Sequence, residues 1–461
     1  MARSARSSWP DYRAVWRWHF YAGVFCIPFV VILAISGAIY LFKGEIEAWE
    51  ERQYDALAVS RTPSPASAQV AAALAAFPGS RFEGYELPAR PGSAARVLLR
   101  HVGGEGLAGA PARPGAGTLR TYVDPASAAV LGSAWERDRL MKIMFRLHGE
   151  LLLGDRGSNL VELAACWTIV MVLTGLVLWW PRHWRGLAGV VWPRFHGGRR
   201  LLMRDLHAVT AAWLSVFTLL LLASGLPWAQ GWGDWLKTVR SATGTAAARQ
   251  EWSNSTGSAA VETGSGDHGH GGGAGRGGDL TGADHAALDR VVSTVTPLGL
   301  AAPVVIARAG SDRWTAKSLV ANRPRRVNLV LAASTGAVVS REDFATKHPI
   351  DKAVAVGIAF HEGRLFGWPN QLLGLLTTIG LVVVCASAVW LWLRRRDPGT
   401  LGAPPPGVPA GRSVTVLAAV GLLGLLLPLF GLSVVAVVVV EWAVLARVPS
   451  VARWLGLRPA P

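Results

Sequence analysis

Four histidines carry the chemistry this sequence offers. His19 is followed seventeen and eighteen residues later by Ser36-Gly37, and His207 is followed at the same offsets by Ser224-Gly225. Leu147-His148 has Gly154 six residues on, and Phe360-His361 has Gly367 six residues on. Between them, Asp124-Pro-Ala-Ser-Ala-Ala-Val130 resembles Ala333-Ser-Thr-Gly-Ala-Val338, so the chain repeats itself in the same direction. A histidine at the boundary of a membrane span is costly unless it is hydrogen-bonded or ligating. One alone reads as an interfacial side chain bonded to water or backbone. Four at repeated offsets, two near each membrane face, favour ligation. Two neutral imidazoles from facing helices suit the axial positions of a haem iron. Zinc or a di-iron centre would want Cys, Asp or Glu companions, and Glu150 and Glu362 follow the second histidine of each half at unequal offsets. No Cys-x-x-Cys-His occurs, which excludes covalent attachment and leaves b-type haem. His183 and His196, in an arginine-rich stretch, are the alternative ligands.

These histidines need helices to hold them, and the composition supplies the material. Hydrophobic residues make up 51 % of the 461 and charged residues 16 %, below the roughly 25 % of soluble domains. Spans are expected at 20–42, 160–180, 208–228 and 372–393, each near the ~20 apolar residues a bilayer core needs. The apolar stretch 414–446 contains Pro428 and Gly431; it reads as a hairpin of two short helices, one long kinked helix being the alternative. Arg3, Arg6, Arg13 and Arg17 precede the first span, and Arg182, Arg185, Arg194, Arg199, Arg200 and Arg204 fill 182–204. Arg394–Arg396 open the loop 394–413, and Arg447, Arg453 and Arg458 occupy the tail 447–461. The positive-inside rule puts all of them, and both termini, on the cytoplasmic side. Much of the +16 formal charge is therefore topological, and nucleic-acid binding loses its support. His19 and His207 then lie towards the cytoplasm, His148 and His361 towards the outside. The first span reads as an uncleaved anchor despite Ala34-Ile35-Ser36, because its apolar run continues to Phe42.

Two outer segments, 43–147 and 229–360, alternate strand-like runs with Gly/Pro turns: Arg96-Val-Leu-Leu-Arg100, Thr121-Tyr-Val-Asp-Pro125 and Val327-Asn-Leu-Val-Leu331. Each is long enough for a small α+β domain. Residues 241–286 form a Gly/Ser/Ala-rich insertion, where Asp267, His268, His270 and His285 read as polar linker rather than metal site. Glu162 and Glu441, near span ends, are expected to snorkel, and Asp205 to cap the third span rather than orient His207. Trp179, Trp180, Trp184, Trp192, Trp228, Trp232 and Trp235 fit an interface belt. Cys26, Cys166 and Cys385 fall inside apolar runs and offer no disulfide framework. No dinucleotide fingerprint, P-loop or Gly-x-Ser-x-Gly elbow is evident.

The sequence resembles the PepSY-associated transmembrane helix family, which includes iron-regulated membrane proteins and ferric-siderophore reductases. The resemblance rests on Trp18-His19 and Leu206-His207, each leading a span that ends in Ser-Gly. It also rests on Leu147-His148-Gly149-Glu150-Leu151 and on Thr174-Gly175-Leu-Val-Leu-Trp-Trp-Pro-Arg182. Tyr122-Val-Asp-Pro125 and Ser334-Thr-Gly-Ala-Val338 are similar to the strand-turn-strand of PepSY domains, and Leu427-Pro-Leu-Phe-Gly-Leu432 to the family's C-terminal hairpin. The resemblance implies a mainly α membrane protein: a tandem span–domain–span bundle, two PepSY-like periplasmic domains and a final hairpin. It implies a bacterial inner-membrane di-haem reductase, with His19 and His207 on the inner haem and His148 and His361 on the outer. Electrons would come from quinol or a cytoplasmic reductase and pass to a ferric siderophore or other iron chelate. The alternative is a non-enzymatic envelope protein whose outer domains bind or regulate a partner. Ala128 stands where the family's turn has Gly, and Ala333 where Pro is usual.

Overall fold

The computed structural model describes residues 11–59, 62–101, 117–181, 186–245, 280–405 and 414–457. In chain order the elements are α1 (Tyr12–Tyr40), α2 (Lys43–Glu50), α3 (Ala66–Ala76), β1 (Ser80–Glu86), β2 (Ala95–His101), β3 (Gly117–Val123), β4 (Val130–Trp135), α4 (Leu140–Glu150), α5 (Asp155–Trp179), α6 (Arg199–Gly225) and α7 (Gln230–Ala242). Then come α8 (Gly282–Val295), β5 (Val304–Arg308), β6 (Arg313–Ser318), β7 (Val327–Ala332), β8 (Val338–Asp343), α9 (Pro349–His361), α10 (Trp368–Arg395), α11 (Val414–Leu426), α12 (Pro428–Ala443) and α13 (Pro449–Leu455). They form two units: a helical one of Met1–Leu41, Arg146–Ala246 and Gln371–Pro461, and a sheet-bearing one of Phe42–Phe145 and Ala247–Asn370.

In the helical unit, α1, α5, α10 and α6 with the turn that extends it to Trp228 are long and apolar enough to cross a membrane. All four begin earlier than their apolar runs, α1 at Tyr12 rather than 20 and α6 at Arg199 rather than 208. Arg and Trp side chains can reach a polar boundary from inside a helix, so the backbone continues through them and satisfies its own hydrogen bonds. His19 and His207 therefore sit about two turns inside their helices rather than at the start. Residues 414–446 form two helices that part at Leu427, with Pro428 on the first turn of α12. Their thirteen and sixteen residues rise roughly 20 and 24 Å, short of the ~30 Å core. They approach closely because neither Gly424 nor Gly431 carries a side chain: a Cβ on Gly431 would stand 3.1 Å from the Gly424 backbone. The three cysteines are buried and unbridged. Cys26 and Val30 of α1 pack with Cys385 of α10 beside Trp167 and Met171, and Cys166 packs with Leu226, Leu427 and Phe430.

The two outer segments were expected as separate domains; they are fused. All eight strands form one antiparallel sheet, ordered β4-β3-β2-β1-β5-β6-β7-β8. Each half supplies a four-stranded meander, and β1 pairs with β5 through Tyr85↔Ile306 and Glu86↔Val305. Alone, each meander would expose that strand's unpaired N–H and C=O groups, and pairing them removes two edges at once. The alternating apolar residues of the strands meet α3 and α8 on one face: Val70 and Ala73, with Leu288 and Val291, cover Val97, Leu99, Ile306, Trp314 and Leu329. The second outer segment also starts later than 229, because α7 belongs to the helical unit. Within the expected insertion, residues 280–286 are ordered: Thr281 and Asp284 make a reciprocal capping box on α8, and His285 lies in its first turn. Asp267, His268 and His270 fall outside the described residues.

The opposite face of the first meander carries a charge network that sequence reading missed. Glu51 accepts from Arg96 Nε (2.9 Å) and Nη2 (2.7 Å), from Arg139 Nη2 (2.7 Å) and from the Tyr122 hydroxyl (2.8 Å). Arg120 pairs with Glu86 (2.8 Å) and Glu136 (2.9 Å). Burial alone would push the Glu136 carboxyl up, but Arg120 and Arg139 outweigh it and hold it at about 2. Arg139, Arg120 and Arg96 likewise hold Glu51 below the usual carboxylate range against its burial.

Ala128 departs from the second repeat. It adopts φ +57°, and Gly336 fills the matching turn position at +72°. Ala128 N–H bonds Asp124 O at 2.9 Å, as Gly336 N–H bonds Ala332 O at 2.8 Å. A Cβ in this left-handed region clashes with the following carbonyl. Ala128→Gly should therefore stabilise the sheet unit by about 1 kcal/mol, read as a raised urea midpoint.

Candidate functional site

His19 on α1 and His207 on α6 come together, their ring centroids 6.2 Å apart and their planes 79° from parallel. Each ring is held from behind by a different long helix. His19 Nδ1–H donates to Met171 O of α5 (3.0 Å) and lies 3.2 Å from Thr174 Oγ1. His207 Nδ1–H donates to Val384 O of α10 (3.1 Å). A carbonyl can only accept, so both Nδ1 atoms carry the proton and both Nε2 atoms present a lone pair. Among the described residues neither Nε2 has a hydrogen-bond partner. Neutral imidazoles fixed through Nδ1 are the usual form of metal-ligating histidine.

The support follows one spacing in both helices. Thr174 and Gly175 lie three and four residues beyond Met171; Ser387 and Ala388 lie three and four beyond Val384. Ser387 Oγ donates to Val384 O (2.9 Å) and Thr174 Oγ1 to Val170 O (2.8 Å). A Cβ on Gly175 would stand 3.0 Å from His19 Cε1, so the ring lies directly on that glycine.

His148, near the end of α4, repeats the arrangement on α1. Its Nδ1 is 3.2 Å from Ser36 Oγ, and a Cβ on Gly37 would be 3.0 Å from its Cε1. Ser36 commits its one proton to Ile32 O at 2.7 Å, so towards His148 the hydroxyl accepts. Seventeen residues of α1 separate His19 from Ser36, roughly 25 Å of helix rise. The chain after His148 is tight: Leu151 and Leu152 take φ +50° and +60°, and Gly157 packs against Glu150 O with no room for a Cβ. His361 is the last residue of α9, in the sheet-bearing unit.

Residues 16–395 match the family described as PepSY-associated TM region. The chain belongs to that family. Comparison with curated proteins finds no match. Within this PepSY-associated transmembrane chain, the donor set at His19 and His207 fits a haem iron. Two neutral imidazoles brought side by side from facing helices, each with its Nε2 lone pair, are donors of the kind a haem iron takes. Among the described residues no group of three or more His, Cys, Asp or Glu side chains is placed to hold a metal ion.

Two expectations for nearby acids are corrected. Glu162 does not snorkel: it is 2 % exposed and accepts from Gly231 N–H at 2.9 Å, satisfying a free donor at the start of α7. Asp205 neither caps α6 nor bonds His207. It is fully buried and accepts from Arg194 N, Nε and Nη2 and from Arg204, anchoring the basic loop. Glu441 is exposed, His196 is exposed, and His183 lies outside the described residues. The glycines and hydroxyls behind the rings were quoted as span endings but not recognised as histidine supports. Each faces a histidine of another helix more than a hundred residues away, so no offset along the chain pointed to it.

Proposed function

We propose that this PepSY-associated membrane protein is a di-haem b electron carrier that reduces ferric chelates on the outer side of a bacterial inner membrane, with both termini cytoplasmic. The observation that carries the reading is the His19–His207 pair: two neutral imidazoles from facing helices, each held through Nδ1, with both Nε2 atoms unpaired among the described residues. These two would hold the inner haem; the repeat assigns His148 and His361 to the outer one. Bound haem would supply a one-electron relay. The chain's own part is to orient the rings from behind and to surround the inner pair with apolar helix. Quinol or a cytoplasmic reductase would be the donor. Each electron delivered to a chelated Fe(III) gives Fe(II), a softer and weaker partner for hard oxygen ligands, and so favours release.

The test is haem content of the full chain purified in detergent after expression with haem available. Dithionite-reduced minus oxidised spectra and pyridine-haemochrome quantitation should give about two b-type haems per chain. His148→Ala or His361→Ala should remove one and leave the other. Folded wild-type protein without haem would sink the reading and leave a partner-binding envelope protein in its place. Full haem content in both variants would refute the outer assignment.

A further inference from the structure

We propose that the hydroxyl–glycine steps Thr174-Gly175 and Ser36-Gly37 are positioning elements that set the rotation of the His19 and His148 rings and place an oxygen beside each Nδ1. The inference deepens the proposed function and, for its electrochemical arm, rests on it.

The same local device occurs twice, on different helices and at opposite ends of α1. In each case a hydroxyl donates its proton to the carbonyl four residues back: Thr174 to Val170 O at 2.8 Å and Ser36 to Ile32 O at 2.7 Å. Such back-bonding is common in apolar helices and by itself says nothing about function. It does have a consequence here. With its one proton spent, each oxygen can only accept from the imidazole in front of it, at 3.2 Å in both cases. An imidazole donating to that oxygen carries its hydrogen on Nδ1, as the Met171 carbonyl already requires of His19.

The glycine completes the device. Gly175 and Gly37 each follow the hydroxyl residue, and a Cβ on either would press on the ring's Cε1 at 3.0 Å. Any larger residue would push the imidazole off the helix and away from the hydroxyl. Both contacts come from one helix acting on a histidine of another, so neither is needed to build its own helix. A further acceptor on Nδ1–H also makes the imidazole a better electron donor, which favours the ferric state of a bound iron. Position 388 carries alanine where α5 has Gly175, so the support of His207 is not identical to that of His19.

Thr174→Val removes the hydroxyl while keeping the side chain's shape, and Thr174→Ser restores it; Ser36→Ala is the matching variant at His148. In haem-loaded protein, a low-spin ferric EPR signal would report the orientation of the two imidazoles. Thr174→Val should shift that signal and raise the midpoint potential of one haem, with Thr174→Ser like wild type. In protein made without haem, ring 15N signals of labelled histidine should show His19 as a single Nδ1–H tautomer. Thr174→Val should leave that tautomer in place, because Met171 O fixes it, and shift the His19 Nδ1 resonance. Unchanged EPR, potential and ring 15N signals in Thr174→Val would overturn the proposal. A wild type that binds no haem would defeat the electron-carrier reading, and the 15N comparison would still decide the positioning role.

Discussion

Replacing His207 by alanine should lower the haem content from the proposed two per chain to about one. A b-type haem has no covalent tether, so its retention depends on axial bonds and on the fit of its surroundings. His207 Nδ1–H is bonded to Val384 O, and its ring faces His19 at 6.2 Å. Removing the ring takes away one of the two side chains that would hold the haem and leaves a hole beside His19. His19→Ala should have the same effect if the two hold one iron as proposed, and the double variant should then lose no more than either single one. That non-additivity is the discriminating outcome. Haem counts falling twice as far in the double variant would place the two histidines on different haems. Gly175→Val should mimic His19→Ala without touching a ligand, because its added carbons enter space filled by the His19 ring. Pyridine-haemochrome quantitation of the four proteins reads all of this.

Glu51→Leu should cost the sheet unit about 3 kcal/mol. Glu51 gathers Arg96, Arg139 and Tyr122 on its two carboxylate oxygens, and its side chain is only 10 % exposed. Leucine fills the volume but removes the shared acceptor, leaving Arg96 to Asp55 and Glu86 and Arg139 to Glu47 and Glu136. The loss should exceed that of a surface pair such as Lys237–Asp234 several-fold. Acid should act on the same network. Glu136 moves from an ordinary 4.5 to about 2 on folding, and Glu51 moves down as well. A depressed folded value means that the stabilisation is complete above about 4.5 and fades as pH falls towards 2. Urea midpoints measured from pH 6 to pH 2.5 should therefore drop steeply below pH 4.5. Glu51→Leu should show a shallower drop from a lower start. A flat profile in wild type would show that the network does not stabilise the fold.

Much of the helical architecture was legible because its cause is local. A run of about 20 apolar residues has few alternatives to a membrane helix. Pro428 cannot extend a helix that precedes it, so the break in 414–446 was readable from composition and one residue. The histidine repeat was readable for the same reason, since offsets along a chain survive whatever the chain folds into. Helix starts were misplaced by up to nine residues, as at Arg199, because hydropathy registers the apolar part and not the arginines that ride on its end. Glu162 and Asp205 were misread because what satisfies a buried acid is decided by Gly231 and Arg194, on other elements.

By itself, the sequence determined the class of protein, its family, the four long helices and the four candidate histidines. Apolar length, residue identity and periodicity are properties of the chain alone. The tertiary structure decided that two meanders share one sheet, since strand edges choose partners by exposure and not by neighbourhood in sequence. It also decided that His19 meets His207, and that both keep their proton on Nδ1. That tautomer depends on Met171 O and Val384 O, carbonyls brought from more than 150 residues away, and no pattern in the chain specifies which backbone oxygen will stand behind a ring.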